Sequence, residues 1–346
     1  MLHERGNHDL PKTARTLLGT KTVGQLRDIS GGQYHYIGFE SACNNLLTAN
    51  PWLEKIRLVM NIDGLLISNS GSLSTYLWPI LCKAFDIPNP DVFPVALCVT
   101  AAKPKDLSFL DETLNEIKRL LINGFKFSSR TVPVELFQVV CDAPAKAMCK
   151  GAKSFSGYYG CDKCETRGTY LHRYQKITFP EIKNPILRTN ESFRTKTNPE
   201  HHIATTPFID IPNFDMINAF PIYYMHQVLL GVQRRLLNIW VNEKKGLGRL
   251  HTNSFNVIND RLSKLPNQAR KELACKPRSL KHLPHFKATE FRSFLLYTGK
   301  VVLKNMLSTD QYTHFLCLSI AITILSNTNM AKDYRQYAHE LLLYFA

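Results

Sequence analysis

The spacing of hydrophobic positions changes along the chain, and each change marks a different kind of element. The run 56–62, rich in Ile, Leu and Val, ends at Asp63-Gly64 and predicts a buried strand followed by a turn. A Gly/Ser/Asn-rich stretch at 68–72 predicts a further turn. The runs 76–82 and 92–100 then predict two more strands, the second entered through Pro88 and Pro90. Three consecutive strands predict an antiparallel meander. Residues 108–121 switch to helical spacing through Phe109, Leu110, Leu114, Ile117, Leu120 and Leu121, with Ser108 placed to cap the start and Gly124 to stop the end. Residues 132–140 are strand-like again and close at Cys141-Asp142, after which Ala143, Ala145, Ala147 and Met148 favour a short helix.

Between about 151 and 212 the periodicity weakens into polar, Pro- and Asn-bearing sequence, the pattern of an insertion or a metal-stapled subdomain. From Ile222 onward the spacing is helical, over 225–241, 256–265, 289–307, 310–325 and 331–345. The expected architecture is a mixed α+β or α/β fold: a lead-in segment at 1–50, a first part of the core at 51–150, an insertion at 151–285 and a helical carboxyl-terminal part of the core at 286–346. No internal repeat or low-complexity tract points to a solenoid or a tail.

Composition narrows the class. The 346 residues, 44% of them hydrophobic, suffice for a large core, so disorder is not expected. The longest mostly apolar run, 316–325, is half of the roughly 20 residues that span a bilayer, and Met1–Leu10 carries Glu4, Arg5, Asn7 and Asp9 where a secretory signal needs apolar residues. A soluble, unsecreted chain is therefore expected. Nine scattered cysteines fit a reducing compartment, with most of them acting as small hydrophobes. The net charge of +15 turns attention to polyanions, nucleic acid or an anionic membrane surface. Lys118-Arg119, Arg234-Arg235, Lys244-Lys245 with Arg249, and Arg278 with Lys281 are spread over several helices and predict phosphate contact through a broad face. The paired aromatics, Tyr223-Tyr224 and Phe291 with Phe294, fall where a core would use them.

Two constellations carry chemistry. Asp63 and Asp142 each close a strand, and they would lie side by side if those strands were neighbours in one sheet. Adjacent carboxylates repel, and a shared Mg²⁺ or Mn²⁺ relieves the repulsion, which is the arrangement of a two-metal phosphoryl-transfer site. Glu290, opening the amphipathic Phe291, Phe294, Leu295 helix, is the candidate third acid. The plain alternatives are that Asp63-Gly64 is only a turn and Asp142 only a helix cap. The second constellation is Cys161-Asp-Lys-Cys164, whose thiolates can grip one face of a tetrahedral Zn²⁺. His226 is the candidate third ligand, and His201, His202, His282 and His285 compete for the fourth place. A redox pair and plain thiols are the alternatives.

Taken in order, Asn61-Ile-Asp-Gly64 with Trp78-Pro-Ile-Leu81, Cys141-Asp-Ala-Pro-Ala145, Gly157-Tyr-Tyr-Gly-Cys-Asp-Lys-Cys164, and Met225-His226 leading into Leu229-Leu-Gly231 resemble the transposases of the CACTA (En/Spm-like) group, also grouped with the Chapaev and Mirage elements. The likeness spans roughly Leu10 to the carboxyl end. It implies an RNase H-like catalytic core with a large, partly zinc-stapled insertion and a helical carboxyl-terminal layer. Asp63 and Asp142 match the first two members of the acidic triad, and Lys287-Ala-Thr-Glu290-Phe-Arg292 resembles the block of the third. The implied cofactors are paired Mg²⁺ or Mn²⁺ and a structural Zn²⁺. The implied partners are double-stranded DNA at transposon ends and further copies of the chain, as a homodimer or larger synaptic assembly, in the nucleus and away from membranes. The chain departs from the pattern in lacking a recognisable amino-terminal DNA-binding module and in stopping inside an expected helix, which suggests a truncated or decayed copy. The rival expectations are a domesticated, non-catalytic DNA- or chromatin-binding protein and a zinc-stapled protein-interaction domain.

Overall fold

The computed structural model describes residues 26–29, 31–70, 73–180, 184–243, 248–265 and 276–346. The expectations for Met1–Leu10, for the end of the 68–72 turn and for Lys244-Lys245 lie outside the described residues. The chain forms two compact units, Met1–Val139 with Thr206–Phe214, and Val140–Thr205 with Asp215–Ala346.

The first unit is built on a seven-stranded sheet. Its elements are β1 (Arg27–Ile29), β2 (Gly32–Tyr36), α1 (Glu40–Ala49), β3 (Ile56–Ile62), β4 (Leu65–Ser70), β5 (Leu73–Ala84), β6 (Phe93–Thr100), α2 (Asp111–Asn123), a small hairpin of β7 (Phe125–Phe127) and β8 (Arg130–Val132), and β9 (Val134–Cys141). The strand order is β1-β2-β6-β5-β3-β9, with β4 pairing β5. The expected meander is present, since β5 pairs antiparallel with both β3 and β6. Ile56, Leu58, Val59, Met60 and Ile62 of β3 are buried, so the strand is covered on both faces as a central strand should be.

Three local features differ from expectation. The polar stretch expected as a turn belongs largely to β4, because pairing from Leu65↔Leu77 to Ser70↔Leu73 satisfies backbone groups whatever the strand propensity of Ser and Asn. The lead-in contributes β1 and β2, the latter paired with β6 from Gly32↔Thr100 to Tyr36↔Ala96. Ser108 does not cap the long helix; it opens a 3₁₀ turn, Ser108–Leu110, where Asp106 accepts from its N–H and hydroxyl, and α2 starts after it without a side-chain cap. Gly124 ends α2 at φ +70°, a conformation that favours glycine.

The β3–β9 pairing is reinforced at its start. The Ile56 N–H donates to the Pro133 carbonyl at 2.9 Å, so the two strands begin together. Arg57 holds both oxygens of Asp86 through its Nε, at 2.9 and 3.0 Å, and lies 4.8 Å over the Phe85 ring and 5.0 Å over Phe137, whose rings are 4.4 Å apart. The hydrogen bonds from Arg57 hold the Asp86 carboxyl below its ordinary value. A carboxylate depressed on folding adds stability that is fully present above its unfolded pKa of about 3.9 and disappears as the pH falls through the folded value. Wild-type protein is therefore expected to lose melting temperature on acidification below about pH 4 more steeply than Asp86→Asn, and parallel pH profiles of the two would refute the coupling.

The second unit starts with α3 (Ala143–Lys150), continues through the irregular segment that carries the hairpin β10 (Thr169–Leu171) and β11 (Lys176–Thr178), and then α4 (Asn190–Arg194). A helical layer follows: π-helical Met225–Gln233 running into α5 (Arg234–Asn242), α6 (Thr252–Lys264), α7 (Ala288–Ser293), a π turn at Phe294–Thr298, α8 (Gly299–Val302), α9 (Thr309–Leu325) and α10 (Thr328–Phe345). The helix expected over 289–307 is therefore continuous from Ala288 to Val302, with a π turn inside it, and ends before the expected bound. Just past the π turn the Gly299 backbone lies against Phe315, where a Cβ would come within 2.7 Å of the ring. Phe315, Leu318, Ala321, Ile322 and Ile324 of α9 are buried, and Phe315 meets Trp240 and Phe294 at ring separations of 5.9 and 6.3 Å. Each of the Phe, Leu and Ile side chains among them contributes about 1.5–3 kcal/mol by leaving water. Among the described residues no helix is long and apolar enough to cross a membrane.

Candidate functional site

Asp63 is the first residue past β3 and is half-buried. Its position depends on Gly64, which lies beneath the buried Trp78 indole: a Cβ there would be 2.6 Å from the ring. Trp78 in turn packs on Phe109 at 6.2 Å between ring centroids. Asp142 is the first residue past β9 and caps α3, its Oδ1 accepting from the Ala145 N–H at 2.7 Å. The cap holds the Asp142 side chain in one orientation.

Glu290 is engaged within the helical layer. Only 9% exposed, it accepts from Arg278 Nε at 2.5 Å, from Arg278 Nη2 at 2.8 Å and from the Lys287 N–H at 2.8 Å. The Arg278 hydrogen bonds hold its carboxyl below the ordinary value. Arg278, expected as a phosphate contact, is therefore an ion-pair partner of the third candidate acid. It also lies over the Phe286 ring and donates to the His285 carbonyl at 3.0 Å.

The CxxC loop is tight because Gly160 permits it: a Cβ at that position would lie 2.0 Å from the Ser154 carbonyl oxygen. Cys161 and Cys164 are free thiols with Sγ atoms 3.2 Å apart, well beyond the ~2.05 Å of a disulfide. Burial pushes the Cys161 thiol up. The Arg188 guanidinium, only 6% exposed, donates from Nε to the Cys161 carbonyl at 3.1 Å and adds positive charge beside both sulfurs.

A cavity of about 390 Å³ opens beside this loop, lined in part by Cys161, Asp162, Lys163, His201 and Gln227. His201 is fully buried, and its Nδ1 lies 2.7 Å from the Tyr159 carbonyl. A carbonyl only accepts, so Nδ1 carries the proton and Nε2 keeps its lone pair. Burial lowers the His201 pKa to about 4, so the ring is neutral near pH 7, and Nε2 is buried without a hydrogen-bond partner. A backbone carbonyl fixing one nitrogen so that the other presents a lone pair is the usual preparation of a histidine metal ligand. His226 adjoins the cavity-lining Gln227 and packs on Tyr223 at 4.9 Å, while His202 packs on Phe193 at 4.6 Å. Among the described residues no three His, Cys, Asp or Glu side chains converge as a ready metal cage.

Two features escaped the sequence reading. Lys146, Lys150 and Lys163 converge on Asp162, between the two cysteines; Lys150, 1% exposed, bonds its Oδ1, and Lys146 lies 3.4 Å from its Oδ2. Lys146 and Lys163 also donate to the Pro221 and Phe220 carbonyls, at 2.7 and 2.8 Å. The spacing of Lys146 and Lys150, one turn apart on a helix, was the only available signal. The other feature is how many of the expected phosphate-binding cations are internally paired: Lys118 with Asp210, Arg119 with Glu116, Arg235 with Glu243 and Arg278 with Glu290. No family model matches the chain, and no curated protein is significantly similar to it.

Proposed function

We propose that the chain is, or descends from, a nuclear cut-and-paste DNA transposase of the CACTA (En/Spm-like) group with an RNase H-like core. The observation that carries this reading is that β3 and β9 are neighbours in one sheet, begin together, and are each followed immediately by an aspartate. Further support comes from the antiparallel order β6-β5-β3, with β9 added on the far side of β3 after the helix α2. In this reading Asp63, Asp142 and Glu290 hold two Mg²⁺ or Mn²⁺, and the substrate is double-stranded DNA at transposon ends, bound by a homodimer or larger synaptic assembly. Bound, the metals would activate a water or 3′-hydroxyl and stabilise the leaving oxygen of an in-line displacement. Asp142 enters this role pre-oriented by its cap, whereas Glu290 must exchange Arg278 for the metal. Cys161 and Cys164 suit a structural Zn²⁺, with His226 as the expected third ligand. The bare lone pair of His201 makes it the best-prepared of the histidines for a remaining place.

The test is nicking of supercoiled and element-end DNA with Mg²⁺ or Mn²⁺. Wild-type protein is expected to cut, and Asp63→Ala to lose cutting by about 100-fold or more, the scale of removing one group that stabilises transition-state charge. Equal cutting by both proteins rules the reading out. The lock of Arg278 on Glu290 favours one second reading, a domesticated, non-catalytic DNA- or chromatin-binding protein, which salt-sensitive binding without metal-dependent cleavage would select.

A further inference from the structure

With four of the foreseen cations paired internally, the β10–β11 hairpin of the second unit carries a run of positive charge that has no acidic partner among the described residues. Its register runs Thr169↔Thr178, Tyr170↔Ile177, Leu171↔Lys176, closed by the loop His172–Gln175. Every residue from Thr169 to Lys176 is exposed. From Arg167 to Thr178 the segment carries Arg167, Arg173 and Lys176 and no acidic residue, and among the described residues none of these three cations has an acidic partner. Two guanidiniums are backed by tyrosines: Arg167 lies 5.5 Å from the Tyr158 ring centroid and Arg173 5.6 Å from that of Tyr174. Such stacking holds the planar fork in place while leaving its N–H groups to a partner.

Stability does not explain these side chains. A two-stranded hairpin is marginal in water, and this one buries almost nothing beyond its base, where Ile177 closes over Gly168 so tightly that a Cβ would be 2.3 Å from its methyl. We infer that the hairpin is a DNA-binding element that enters a groove of duplex DNA, with Arg173 and Lys176 near its tip contacting the flanking phosphates. A protruding two-stranded ribbon matches the width of the major groove, about 12 Å, whereas single strands are usually held in recessed channels. The charge is complementary to the phosphates that flank the groove. The inference rests on the proposed DNA substrate and adds the element that engages it.

The test measures fluorescence anisotropy of a labelled DNA duplex titrated with the full chain over a series of salt concentrations. Arg173→Ser with Lys176→Ser is expected to weaken binding roughly tenfold and to reduce the slope of log affinity against log salt by about 2, close to one for each lost phosphate contact. The charge-preserving pair Arg173→Lys with Lys176→Arg, whose circular dichroism should match wild type, is expected to retain most of the affinity and the wild-type slope. Unchanged affinity and slope in the serine variant overturn the assignment. So does stronger competition by single-stranded DNA, duplex RNA or phosphatidylserine vesicles than by unlabelled duplex. Should wild-type protein bind no duplex at all, the proposed function fails; should wild type bind and the serine variant bind equally, only the hairpin's role fails.

Discussion

Asp142→Asn is expected to leave the fold intact while lowering metal-dependent cleavage by about 100-fold or more. The two consequences separate because the residue does two jobs. As the cap of α3 its Oδ1 accepts from the Ala145 N–H, and asparagine performs that service about as well as aspartate. As a proposed metal ligand it needs the negative charge, which the amide lacks. Asp142→Ala removes both, and should additionally cost about 1 kcal/mol of stability for the lost cap. Urea midpoints and nicking rates of the two variants give the comparison. An asparagine variant that cuts at the wild-type rate would show that Asp142 is a cap and nothing more, which is the plain alternative the sequence itself offers.

Asp162→Ala is expected to be the most damaging single substitution to the second unit, costing about 3–5 kcal/mol. Burial works against the Asp162 carboxylate, but the combined pull of Lys150, Lys146 and Lys163 carries its pKa below the ordinary value. Lys150 is the more precarious partner, its pKa lowered by burial despite Asp162. Removing the carboxylate leaves buried ammonium groups facing one another, Lys146 and Lys163 compensated by backbone carbonyls and Lys150 by the Phe193 and Phe220 rings. Replacing both members of the closest pair, Asp162→Ala with Lys150→Met, should recover much of the loss, because a buried pair exchanged for apolar groups is close to neutral while a broken one is not. Chemical denaturation of the three variants measures this. A single variant as stable as wild type would mean that the lysines are already discharged or solvated.

How far each of these residues could be read from the sequence depends on the range of the interaction that governs it. β3, β9 and the helical layer were legible because burial on one or both faces of a strand, or along a helix, writes an apolar run, an alternation or a 3.6-residue period into the residues themselves. The strands β1, β2, β10 and β11 were missed because they are short and polar, and their stability is supplied by cross-strand partners. Gly124 as a helix stop was legible, since a positive φ is a local demand. Asp63 and Asp142 could be placed at strand ends by pattern alone, but that β9 lies beside β3 is a matter of sheet order.

By itself the sequence determined β3, β5, β6, β9 and most of the longer helices in their order, the aspartates that close two of the strands, the paired thiols of the tight CxxC loop and the surplus of positive charge. Tertiary structure alone decided how the polar groups were spent. Arg278 reaches Glu290 across a 3₁₀ turn, Lys150 is buried against Asp162, and the Tyr159 carbonyl selects which nitrogen of His201 keeps its lone pair. Hydrophobic periodicity is a short-range record of burial, whereas the partner of a charge or of a hydrogen-bonding atom is set by where the folded backbone returns, and the side chains on offer look alike until it does.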